Sequence, residues 1–84
     1  MSRTLAHPVV RRLICTCRMA DEMLLWEWLV DQLDPAKFHV QETSLVEDAH
    51  ARETELLFTS ELDAHRFELW ALDRGFLLDD LPLT

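Results

Sequence analysis

The sequence predicts a small α+β domain with its elements in the order β-α-β-β-α and room for one final strand. Three observations predict it. A β-branched, apolar stretch near the start is too short for a typical helix. Two stretches of helical length carry end signals, and two alternating stretches lie between them.

Residues 9–18, VVRRLICTCR, read as the first strand. There Leu13, Cys15 and Cys17 share one face, and Arg12, Ile14, Thr16 and Arg18 share the other. Asp21 reads as the N-cap of a helix with an acidic first turn, which Asp34-Pro35 stops. Residues 37–47 alternate at Phe38 and Val40, and residues 50–60 alternate before Leu56 and Phe58. Joined near Glu47-Asp48 they make a hairpin, although the turn lacks the favoured Asn-Gly or Asp-Gly pair. A helical reading of 45–59 is the alternative, since Leu45, Ala49 and Leu56 lie close to a helical spacing. The last helix is the best marked, with Ser60 and Asp63 as a capping box and Gly75, the only glycine, at its C-terminal end. FLLDDLPLT then leaves room for one short strand before Pro82.

In element order this resembles the ferredoxin-like arrangement, with two helices on one face of an antiparallel sheet. The resemblance covers most of the chain and rests on no sequence motif. With 84 residues, 49% apolar and 29% charged, one domain over residues 1–84 is expected, with a small core.

Apolar side chains exceed what that core needs. At 100° per residue Leu25, Trp26, Leu29, Val30 and Leu33 of the first helix fall in one arc about 140° wide, the predicted core face. Leu24 and Trp28 lie on its flank. On the last helix Ala64, Phe67, Trp70 and Ala71 form the core stripe, while Leu62 and Leu69 lie on the far side with Leu72 between. Helix-on-helix packing accounts for part of this excess, and an exposed partner surface is the competing account.

Charge is unevenly spread. Residues 1–20 carry Arg3, Arg11, Arg12 and Arg18 and no acid, whereas the rest carries all 16 acids against four basic side chains, which leaves the whole chain with a net charge of −8. Such acidity disfavours direct binding of nucleic acid and favours a basic partner, although it also serves solubility. The arginines do not form one patch, because Arg11 points away from Arg12 and Arg18 on a strand, and pairing with the chain's own acids is expected. No apolar run reaches the length of a membrane span and no signal-peptide pattern opens the chain, so a cytoplasmic protein is expected. Cys15 and Cys17, about 6.6 Å apart on an extended strand, read as free thiols.

Several chemistries lack their parts. One glycine excludes a phosphate-cradling loop or dinucleotide fingerprint, and no serine-nucleophile elbow is present. A zinc site from Cys15, Cys17 and His50 is the sharpest metal alternative, but His7, His39, His50 and His65 are scattered without zinc spacing. His65 lies between Glu61 and Glu68 on its helix, where a solvated face explains it as well as acid-base catalysis does. Paired acids such as Glu53 and Glu55 are too common here to mark a glycosidase. Neither enzyme activity nor a cofactor is expected.

The expected function is therefore that of a small acidic protein-binding module that occludes a basic, nucleic-acid-binding surface of its target. In its general character, small, acidic, single-domain and motif-free, the chain resembles phage and mobile-element inhibitors of bacterial defence, anti-CRISPR proteins among them. The candidate partner-binding residues are Glu42, Glu47, Asp48, Glu53 and Glu55 as one acidic patch and Asp73, Asp79 and Asp80 as another. Trp28 with Leu24 is the candidate apolar anchor. The main alternative is a structural homo-oligomer or assembly subunit held by the surplus apolar helix surface. A Cys/His metal-binding protein is the third reading.

Overall fold

A computed structural model describes residues 7–46 and 50–83. The elements run β1 (Arg11–Arg18), a 3₁₀ turn (Met19–Asp21), α1 (Glu22–Gln32), β2 (Phe38–Val46), β3 (Ala51–Phe58), α2 (Glu61–Asp73) and β4 (Leu77–Asp80). The four strands form one sheet in the order β2-β3-β1-β4, every neighbouring pair antiparallel, consistent with a ferredoxin-like arrangement. Residues 51–58 are thus a strand, and the helical alternative for 45–59 does not hold. The hairpin junction at Glu47 and Asp48 lies outside the described residues.

Strand alternation divides the sheet into two unlike faces. Leu13, Cys15 and Cys17 of β1 pair in register with Leu56, Thr54 and Arg52 of β3. Leu13, Cys15, Leu56 and Phe58 join Leu25, Leu29, Ala64, Phe67 and Ala71 of the helices and Phe76 in one buried cluster. Transfer of such apolar area at about 25 cal/mol per Å² is what holds the helices to the sheet.

The ends of α2 are built as the sequence implies. Ser60 Oγ accepts the backbone N–H of Asp63 at 3.3 Å. At the other end Gly75 has φ of 81°, and the N–H groups of Gly75 and Phe76 donate to the carbonyls of Leu72 and Ala71 at 3.0 and 2.9 Å. Only a residue tolerant of the left-handed region closes a helix in this way. The start of α1 differs from expectation: Asp21 makes no side-chain cap bond, and its carboxylate instead accepts from Arg18 Nε at 2.9 Å.

The core arc of α1 is also displaced from the one that hydropathy defines. Leu25, Leu29 and Leu33 are buried, but Val30 is 71% exposed, and Trp28 packs inward in its place. The cause lies on α2: Trp28 stacks on Trp70 at 5.2 Å between centroids with 21° between planes, and meets Phe67 at 5.6 Å. The neighbouring helix recruits the flank that faces it.

Candidate functional site

Both helices pack on one side, so among the described residues the other side of the sheet is open. The strand register assembles that open face in rows. Glu42, Glu55, Ile14 and Asp79 lie side by side across the four strands, and Ser44, Glu53, Thr16 and Leu77 make the next row. Neighbouring strands are about 4.8 Å apart, so the side chains of each row are in mutual reach.

Glu42 reaches this face through an irregularity. Plain alternation from Phe38 and Val40 would place Glu42 with them on the helix-covered side. A β-bulge between Val40 and Glu42 shifts the register, so that Val40 faces Leu56 on the covered side whereas Glu42 faces Glu55 on the open side. Ile14, Glu42, Ser44, Glu53 and Glu55 then line a shallow depression of about 120 Å³. It is a surface for an extended contact, too small and too open for a buried small molecule.

Arginines moderate part of the charge. Arg12 Nε donates to Glu55 at 2.6 Å, and Arg12 also donates to the Pro82 carbonyl at 3.2 Å. The hydrogen bond to Glu55 raises the Arg12 pKa, against the opposing effect of desolvation. No comparable partner engages Glu42, Glu53 or Asp79 among the described ion pairs. On this face these three are the acids left for a visiting cation.

The other candidate residues do not gather there. Asp80, one residue from Asp79, points to the opposite side, where Arg11 donates to it at 2.8 Å and also engages Glu68 and, at 3.6 Å, Glu61. Burial works against the charge on Arg11, and its bonds to Asp80 and Glu68 outweigh that, leaving its pKa raised. Asp73 sits exposed at the end of α2. The acids at 73, 79 and 80 are therefore three separate positions rather than one patch. Strand alternation alone is the signal that separates Asp79 from Asp80.

Trp28 and Leu24 lie on the helical side. Besides its stack on Trp70, the Trp28 ring has Arg66 over it at 6.0 Å. Leu24, 38% exposed, lines a groove with Glu27, Trp28, Asp31 and Trp70. The sheet separates this groove from Glu42, Glu53 and Glu55, so one flat partner surface meets either group and not both. Glu47 and Asp48 lie outside the described residues.

The cysteines are buried on the covered face. Desolvation pushes the Cys15 thiol up to about 12, with a smaller contribution from Cys17. Burial likewise raises Cys17, aided by Asp21 and Glu22. His50 is exposed at φ of 50°, its carbonyl accepting from Met19 N–H at 3.0 Å. Among the described residues no group of three or more His, Cys, Asp or Glu side chains is placed to hold a metal ion. No described helix is long and apolar enough to cross a membrane.

No family model, curated protein or solved structure matches this chain.

Proposed function

We propose that this chain is an acidic protein-binding module that inhibits by occlusion, laying the open face of its sheet on a basic, nucleic-acid-binding surface of its target. The bulge that turns Glu42 onto the open face carries the reading. It sets Glu42 directly across from Glu55 and beside the row of Glu53. Like charges placed directly opposite on adjacent strands cost stability, here offset in part by the Arg12 bond to Glu55. Local rules broken in this way are concentrated where function requires it.

A target's Lys and Arg side chains would meet the carboxylates of Glu42, Glu53 and Asp79 where they otherwise meet phosphates. Ile14 and Leu77 lie among the carboxylates and supply apolar contact. Inhibitors of bacterial defence carried by phage or other mobile elements are the class this mode serves. Long-range attraction to a basic surface would accelerate the encounter, and this steering weakens as salt rises.

The test is a pull-down with the tagged chain at about 0.1 M salt, compared with a Glu42→Gln, Glu53→Gln, Asp79→Asn variant, followed by a nucleic-acid-binding assay of the captured species. The reading expects a species that the variant fails to hold, that several-fold higher salt releases, and whose nucleic-acid binding the wild-type chain blocks. Equal retention by the variant, or a captured species whose nucleic-acid binding is unaffected, would sink it.

A further inference from the structure

The outer face of α2 carries an apolar seam that the proposed function does not use. Leu62, Leu69 and Leu72 are 68%, 59% and 57% exposed, and His65 is exposed among them. The four positions are spaced three, four and three residues apart, the spacing of a helix-pairing seam. At 100° per residue they occupy an arc of about 80°, turned away from the buried stripe of Ala64, Phe67 and Ala71. The seam therefore points straight out from the helical layer.

We infer that this seam pairs with the same seam of a second copy, the two α2 helices running antiparallel across a two-fold axis. Spacing identifies the occupant. The interval three-four-three reads identically in both directions, so a two-fold axis passing beside Phe67 brings Leu62 opposite Leu72 of the other copy and His65 opposite Leu69. Three of the four seam positions then meet a leucine, Leu69 meets the imidazole of His65, and each contact occurs twice, as an isologous interface requires.

Charge points to the same occupant. Most surfaces of a chain with net charge −8 would repel a second copy. Three of the four acids flanking this seam are already engaged, Glu61 and Glu68 with Arg11, and Asp63 with Arg66 at 3.8 Å, and the fourth, Asp73, is exposed at the seam's C-terminal end. A second copy approaching the seam thus meets flanking charges that are paired within each chain at every position but Asp73.

Leu62 and Leu72 are ten positions apart, about 15 Å of helix. Two helices of this length bury less than the roughly 1,200–2,000 Å² of a standard stable interface, so association in the micromolar range is expected.

Sedimentation velocity on the full chain from about 1 to 500 μM tests the inference. A concentration-dependent dimer is expected, strengthened by salt because the two net charges repel. Leu69→Glu should leave a monomer whose circular dichroism is unchanged, and His65→Leu should tighten the dimer by about tenfold through the added leucine contacts. A chain monomeric throughout, or a dimer indifferent to both substitutions, overturns the proposal. Register is read by oxidative cross-linking. Leu62→Cys mixed with Leu72→Cys should link, whereas Leu62→Cys alone should not, its two copies lying about 15 Å apart along the axis. The reverse pattern overturns the antiparallel arrangement.

Discussion

Trp28→Ala measures whether the flank of α1 belongs to the core. The indole has two aromatic neighbours, Trp70 at 5.2 Å and Phe67 at 5.6 Å, and Arg66 near its face. Each aromatic pair is worth about 0.5–1.5 kcal/mol beyond area burial. Hiding roughly 100 Å² of the ring, about half of what a tryptophan presents, adds about 2.5 kcal/mol. Some of the vacated space would be filled by relaxation and by water at the half-open side, so a loss of about 3 kcal/mol is expected, near the lower end for aromatic truncations in full cores. A domain of 84 residues has roughly 4–13 kcal/mol in total, so the loss is a large fraction. Urea titration followed by circular dichroism reads it as a drop in midpoint at constant slope. Val30→Ala is the paired control: its side chain is 71% exposed and should cost under about 0.5 kcal/mol. If Val30→Ala costs more than Trp28→Ala, the buried arc of α1 is centred where hydropathy puts it and the Trp28–Trp70 stack is not a structural element.

Arg11→Ala leaves Glu61, Glu68 and Asp80 facing one another, and should lower stability by about 1–2 kcal/mol, with a smaller loss in high salt, as thermal unfolding at two ionic strengths would show. Glu42→Gln removes the like charge opposite Glu55 and should raise stability by a few tenths of a kcal/mol while weakening target binding; a fall in stability would contradict the cross-strand repulsion. Thr54 is fully buried and its Oγ1 has no hydrogen-bond partner among the described residues, so Thr54→Val should stabilise by about 1 kcal/mol in a denaturant titration. The Cys15 thiol, at about 12 when folded against 9.0 ordinarily, gives stability that is fully present below about pH 9 and is lost as pH rises toward 12. Thiol titration at pH 8 should accordingly find Cys15 unreactive until the chain is unfolded.

The element order was legible because each element is marked locally: β-branched residues at 9–18, Ser60 and Gly75 around the last helix, alternation through 50–60. What escaped depends on neighbours that are distant in sequence. Val30 and Trp28 are equally apolar on a helical wheel, and only the position of Trp70 decides which turns inward. Arg11 finds Glu68 and Asp80 across 57 and 69 residues, a meeting set by the β1–β4 register and the seat of α2. Glu42 is the instructive case. Its membership of the acidic patch was expected from its place in the hairpin, yet alternation from Val40 would have put it on the covered face. The bulge that reconciles the two carries no signature in Val40-Gln41-Glu42, since any residue without a special φ requirement can occupy it.

The two proposed surfaces lie on opposite sides of one domain, and this constrains how they act together. The α2 seam points outward from the helical layer, so a pair of copies joined there presents its two acidic sheet faces in opposite directions. Such a dimer cannot place both faces on one flat target, and therefore gains no avidity from a single surface, because geometry forbids simultaneous engagement. It can instead hold two targets, one on each side. Salt separates the two contacts: raising it weakens attraction of Glu42, Glu53 and Asp79 to a basic surface and relieves repulsion between copies. A titration of captured target against salt should thus fall while the dimer fraction of the free chain rises. Parallel responses would mean that both contacts use the same face.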